Sequence, residues 1–234
     1  MKPTLVVVML SVLLGLWPLQ ALADDAPPFF VYLSCDVCTP ANYLSYDHFL
    51  QIDSCGAPHI VYDAYHVFRR GDTWFQEVID PVGGAYPTLA IDSADHLHVV
   101  YQDGTPQLKY AIFDGCCWQR EFVSQDHYGQ LGSLALDAQG NPHIAYLGTA
   151  SRLQYAVRDT EGWHITTVAN DAAGASSLAL DHNDHPHIVY FSGGQLRYVI
   201  FNGDYWSDSV IDTGTLDGPL TGGVSLALDS ASLG

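Results

Sequence analysis

Four histidines recur with fixed companions. His59, His98, His143 and His187 each stand six residues after an aspartate (Asp53, Asp92, Asp137, Asp181) and three before a tyrosine (Tyr62, Tyr101, Tyr146, Tyr190). A tryptophan follows each set, at Trp74, Trp118, Trp163 and Trp206. Imidazole beside carboxylate can relay protons or hold a transition metal. Recurrence argues for a different role. A group that returns at one place in every unit answers a need of every unit, such as tying a turn to the next strand within a stack of copies. These sixteen residues therefore read as a structural repeat network, with no catalytic residue, metal or cofactor assigned to it.

One turn departs from the pattern. Asp181-His182-Asn183-Asp184-His185 concentrates two additional histidines and a carboxylate, which makes His182, Asp184 and His185 the ligand-binding candidates of the sequence. A transition ion would suit them, and a solvated turn that accepts any polar residue explains them equally well. The Asp-x-x-Gly and Asp-x-x-Asp segments lack the alternating oxygens and final Glu of a calcium loop and read as tight turns.

These residues are set in a repeat that governs the whole chain. Ser133-Leu-Ala-Leu-Asp137 leads into Gly140-Asn-Pro-His-Ile-Ala-Tyr146, and Ser177-Leu-Ala-Leu-Asp181 into Asp184-His-Pro-His-Ile-Val-Tyr190. Looser copies begin at Leu50 and Leu89, and a fifth opens at Ser225. The marker aspartates are separated by 39, 45, 44 and 48 residues. Each complete unit offers four short apolar stretches divided by turn residues, three units adding Leu-x-Tyr at Leu108/Tyr110, Leu153/Tyr155 and Leu196/Tyr198. Glu is confined to Glu77, Glu121 and Glu161, and Lys to Lys2 and Lys109, so helix formers are scarce while Asp, Gly, Val, Ile and Tyr abound. The expectation is an all-β protein, a β-propeller of four-stranded blades with four complete units and a partial fifth. The blades are expected over 46–86, 87–132, 133–176 and 177–224, with the partial unit over 225–234.

The unit S-L-A-L-D-x-x-G-x-P-H-I-x-Y, followed by L-x-Y-A and G-x-W, resembles the tandem repeats of secreted bacterial β-propeller proteins. That resemblance covers roughly residues 46 to 229 and implies an extracellular interaction module without a shared activity. WD-repeat propellers offer an analogy in their own His, Ser or Thr, Asp and Trp network.

The N-terminus carries Lys2, an apolar run from Leu5 to Leu16 and Ala21-Leu22-Ala23, which reads as a signal peptide over 1–23 and a secreted or periplasmic product. No later run is apolar enough for a membrane span. A formal charge of −18 disfavours nucleic acid and anionic membrane surfaces. In an exported chain, five cysteines permit at most two disulfides. Cys35 and Cys38 suit a local bridge, and Cys55 can be matched with Cys116 or Cys117 if their turns emerge on one face. Within 24–45, Phe29 to Leu33 reads as the outer strand of a blade. Its three inner strands should come from the C-terminus, which supplies one, so the sequence reads as a truncated product with an open or strained ring.

Enzyme signatures such as a nucleophile elbow, H-E-x-x-H or a phosphate-cradling glycine loop are missing. The function expected is therefore a secreted, non-catalytic binding or scaffolding propeller for a carbohydrate, protein or surface component. The alternative is a hydrolase or lyase acting on extracellular polysaccharide.

Overall fold

The computed structural model describes residues 50–103, 105, 107–124, 130–213 and 224–229. All lie in the compact unit Tyr43–Gly234. The signal peptide, Phe29 to Leu33, Cys35 and Cys38 fall outside the described residues.

Among the described residues, sixteen strands form four sheets, each a meander of four consecutive strands. Blade 1 comprises β1 (Leu50–Ile52), β2 (Pro58–Tyr62), β3 (Tyr65–Arg70) and β4 (Thr73–Val78). Blade 2 comprises β5 (Ala85–Ile91), β6 (Leu97–Gln102), β7 (Leu108–Phe113) and β8 (Trp118–Ser124). Blade 3 comprises β9 (Gln130–Leu136), β10 (Pro142–Gly148), β11 (Arg152–Asp159) and β12 (Gly162–Ala169). Blade 4 comprises β13 (Ala172–Leu180), β14 (Pro186–Ser192), β15 (Gln195–Phe201) and β16 (Trp206–Asp212). Every pairing is antiparallel. β5, β9 and β13 begin upstream of the blade boundaries expected from sequence. Part of the reason is irregular pairing near the starts of β5 and β13, where the register shifts between Ala85 and Thr88 and between Ala173 and Ser176.

Why short strands stack into blades follows from where the apolar residues point. Residues on both faces of β6 and β14 are buried, because each sheet lies between two others. The core of the described residues consists of three clusters, each across a blade boundary. Val61 and Ile79 of blade 1 meet Leu89, Val99 and Tyr101 of blade 2. Val100 and Tyr110 of blade 2 meet Ile144 and Tyr146 of blade 3. Leu153 and Tyr155 of blade 3 meet Ile188 and Tyr190 of blade 4. A fully buried Ile or Tyr of this kind contributes about 2 kcal/mol. The first strands β1, β5, β9 and β13 contact one another in turn, which makes them the inner strands and the tryptophan strands the outer ones. This is the radial stacking of a β-propeller.

Serine hydroxyls join the inner strands. Ser133 Oγ accepts the backbone N–H of Leu178 at 3.0 Å, and Ser177 Oγ accepts that of Leu226 at 3.0 Å. Residues 224–229 thereby sit beside β13 as β13 sits beside β9. The fifth copy of the motif occupies the place its sequence predicts for a next inner strand.

Cys55, Cys116 and Cys117 are free, exposed thiols, so the bridge that the sequence permits between them is not formed. Cys55 lies in the turn from β1 to β2, at the inner edge, whereas Cys116 and Cys117 precede β8 at the outer edge. Two strand spacings, about 10 Å, exceed the Cα separation of about 7 Å that a disulfide tolerates.

Candidate functional site

In blades 1 and 2 the recurring histidine is bonded through both ring nitrogens within its own blade, and in blades 3 and 4 it is bonded through Nδ1 while its Nε2 faces the turn aspartate without a hydrogen bond. Asp92 Oδ1 accepts the backbone N–H groups of Ala94 and His96, both at 2.8 Å, and its Oδ2 lies 3.4 Å from His98 Nε2. His98 Nδ1 lies 2.6 Å from the Tyr110 hydroxyl. Blade 3 repeats this with Asp137, His143 and Tyr155, where His143 Nε2 is 3.5 Å from Asp137 and its Nδ1 2.5 Å from the Tyr155 hydroxyl. Blade 4 repeats it with Asp181, His187 and Tyr198. In blade 1, His66 occupies the tyrosine's place. Asp53, His59, His66 and Glu77 form one chain there, with steps of 3.2, 2.9 and 2.9 Å.

In blades 2, 3 and 4 the tyrosine that meets the histidine is thus the one from Leu-x-Tyr. Tyr101, Tyr146 and Tyr190 follow their histidines by three residues, and an odd spacing on a strand points them to the opposite sheet face. Tyr101 there donates to Asp80 at 2.7 Å and Tyr190 to Asp208 at 3.1 Å. Tyr62 stacks on Tyr65. The tryptophans act one blade on. Trp163 and Trp206 stand edge-on to Tyr110 and Tyr155 of the preceding blade at 5.4 and 5.2 Å, and Trp118 edge-on to His66 at 5.7 Å. Trp74, at the same place on blade 1, is 36% exposed.

The three ligand candidates do not converge. His185 occupies the position of His96 and Asn141, next to the turn aspartate, with its Nδ1 3.4 Å from Asp181. His182 is exposed beside Asn183. Asp184 accepts the backbone N–H of Ala138 on the preceding blade at 3.1 Å, as Asp95 accepts that of Ser54 at 2.9 Å. Among the described residues, no group of three metal-ligating side chains is present.

A different place has the shape of a site. On the opposite end of the strands, at the boundary of blades 1 and 2, Lys109 Nζ lies 3.0 Å from Asp80 and 3.2 Å from Asp103. Burial alone would lower the Lys109 pKa, but its two carboxylate bonds raise it. Burial likewise opposes ionisation of Asp80, and the bonds from the Val82 N–H, Tyr101 and Lys109 nonetheless hold its pKa below the usual value. This salt-bridged triad spans the boundary.

At the boundary of blades 2 and 3 the equivalent residues are Ser124, Gly148 and Gln154. Three charged side chains become two small residues and one amide, and a groove of about 290 Å³ opens, lined by these residues together with Tyr146, Thr149, Arg152, Ile165 and Thr167. Gly148 keeps it open, because a Cβ there would meet Gln154 Cγ at 2.9 Å. Gln154 Oε1 accepts the Thr167 hydroxyl at 3.1 Å, which orients the amide nitrogen as a donor. The turn Thr149–Ser151 borders it, with Ala150 and Ser151 at φ of 57° and 59°, a left-handed backbone that such residues seldom adopt and that clusters at binding sites. Among the described residues, the lining offers hydroxyls, an amide, a guanidinium and the exposed side chain of Ile165, and no carboxylate. Sequence reading missed this groove. Its signal was a failure of repetition: a unique lysine, Lys109, aligned with Gln154.

No protein-family model matches the chain, and no curated protein matches it. Among solved structures it is similar in fold to AofleA from Arthrobotrys oligospora, with 14% identity and a TM-score of 0.52 over 70% of this chain and 58% of that one. An arginine-to-alanine triple variant of AofleA gives 0.54 at 14% identity. SapL1 lectin, solved in complex with alpha methyl fucoside, gives 0.53 at 14% identity over 71% of this chain and 63% of that one. The chain spans less than two thirds of the length of each.

Proposed function

We propose that this chain is a secreted, non-catalytic carbohydrate-binding propeller, and that the groove between blades 2 and 3 takes one sugar residue. The observation that carries this reading is the lining itself. Saccharides present hydroxyls in fixed directions, and planar amide and guanidinium groups with hydroxyl neighbours match them, while Ile165 can cover a C–H face. The volume of about 290 Å³ falls at the lower end of small-ligand pockets, about 300 Å³, which suits one ring. The fold likeness to SapL1 lectin adds support. A hydrolase would need a pair of carboxyl groups about 5 to 10 Å apart across the bond to be cut, and the described residues of the groove lining include none. The test is a glycan array probed with the exported chain, followed by calorimetry on the glycans retained. Binding that falls at least about tenfold in Gln154→Ala, with unchanged thermal melting, is the expected result. An array with no retained glycan would end this reading.

A further inference from the structure

Resting on that reading of the groove, we infer that its sugar carries an acid group, held by Arg152. All six arginines of the chain are described, and five are engaged. Arg69 pairs with Asp72, Arg158 with Glu121 and Arg197 with Asp208. Arg120 donates to the Ile79 carbonyl, and Arg70 lies over the Phe68 ring. The one lysine of the repeats, Lys109, is held between Asp80 and Asp103. Arg152 alone, among the described residues, has a guanidinium without an ion-pair, hydrogen-bond or ring partner, and it lines the groove.

In a chain of net charge −18 with 26 acidic residues, Arg70 and Arg120 lack an acid partner but engage a ring and a carbonyl, whereas Arg152 keeps its guanidinium free at the groove. The guanidinium fork donates two parallel N–H bonds to a carboxylate or sulfate. Among the described residues of the lining, no carboxylate competes for it. The remaining polar groups, Gln154, Thr149 and Thr167, are neutral and suit hydroxyls. The acid group is local. The overall negative charge repels a dense polyanion, whereas screening over about 8 Å leaves a single acid group free to approach one nearby guanidinium. An acidic monosaccharide or chain-end residue is therefore favoured over an internal stretch of polyuronate.

Calorimetry on the full chain tests this with methyl glucuronoside and methyl galacturonoside against methyl glucoside and methyl galactoside, with a 6-sulfated galactoside as the third arm. Carboxylate and sulfate arms separate the two acid sources. The acid forms should bind at least about tenfold tighter than the neutral ones, a margin that shrinks between about 50 and about 500 mM salt. Arg152→Gln should remove most of that ratio, Arg152→Lys should retain part of it, and Arg70→Gln should leave it unchanged. Equal or tighter binding of the neutral sugars overturns the inference and leaves the groove a sugar site. Retention of neutral glycans alone on the array does the same. Binding of no sugar in any arm overturns both readings.

Discussion

The indole N–H of Trp163 donates to Glu121 Oε1 at 2.9 Å across the boundary of blades 2 and 3. Trp118 makes the same bond to Glu77, at 2.9 Å, one boundary earlier. Two of the chain's three glutamates thus serve the same purpose, satisfying a tryptophan donor at a place where it is half-buried. Trp163 also covers the edge of Tyr110, and Arg158 holds Glu121 at 2.5 Å.

Trp163→Ala should therefore destabilise the fold by about 3 kcal/mol, the lower end for an emptied aromatic site because the ring is only half-buried. Denaturant melts of the two chains measure it. A loss below about 1 kcal/mol would place the ring outside the blade contact.

Stability should also depend on pH near neutrality. Burial lowers the pKa of His66, His98 and His143, only partly offset by Glu77, Asp92 and Asp137 respectively. A lowered imidazole pKa means that the unfolded chain binds the proton first, so stability is complete above about pH 6.5 and falls as pH drops towards the folded values. Asp53, Asp92, Asp137 and Asp181 have lowered values despite burial, which opposes the shift. Their contribution is lost only below about pH 4, as the folded carboxylates titrate. Acid unfolding should show the histidine step first. Melting temperatures from pH 8 to pH 3 give the profile, and His143→Gln should flatten its upper step. A flat profile between about pH 7 and about pH 5 would contradict buried, neutral histidines.

Asp184 holds a left-handed backbone at φ 61° where blades 1 and 3 place Gly56 and Gly140 at 83° and 84°. Asp184→Gly should relieve the backbone while losing the bond to Ala138, leaving stability within about 0.5 kcal/mol. Asp184→Ala keeps the strain and loses the bond, at a cost of about 1 to 2 kcal/mol. Equal losses in paired melts would remove the backbone from the explanation.

Gly148→Ala tests the groove from its wall. The new methyl group displaces Gln154, whose side chain can move, so stability should fall by less than about 1 kcal/mol while glycan affinity falls at least about tenfold. Calorimetry beside thermal melting separates the two effects. Unchanged affinity would mean that the sugar does not use Gln154.

The four blades were legible because their strands are written in the sequence repeatedly, and repetition overcomes the weak β-signal of any single strand. The recurrence of aspartate with histidine was legible for the same reason. Their tyrosine partner was not, since choosing Tyr110 over Tyr101 for His98 requires counting strand faces across a register that only pairing fixes. The groove was hidden for the opposite reason. It arises where Ser124, Gly148 and Gln154 break with Asp80, Asp103 and Lys109, residues from three strand ends that no local motif connects. His182, Asp184 and His185 stood out in sequence, yet His185 and Asp184 have counterparts in His96 and Asp95.

The central claim, that the groove between blades 2 and 3 is the sugar site, is tested most directly by amide chemical-shift mapping. The isotope-labelled chain is titrated with the tightest glycan from the array. The account predicts that shifts at Thr149, Arg152, Gln154 and Thr167 saturate together, with the Asp181 to His185 turn unmoved. Saturating shifts confined to that turn, or to the outer face of blade 1, would contradict it.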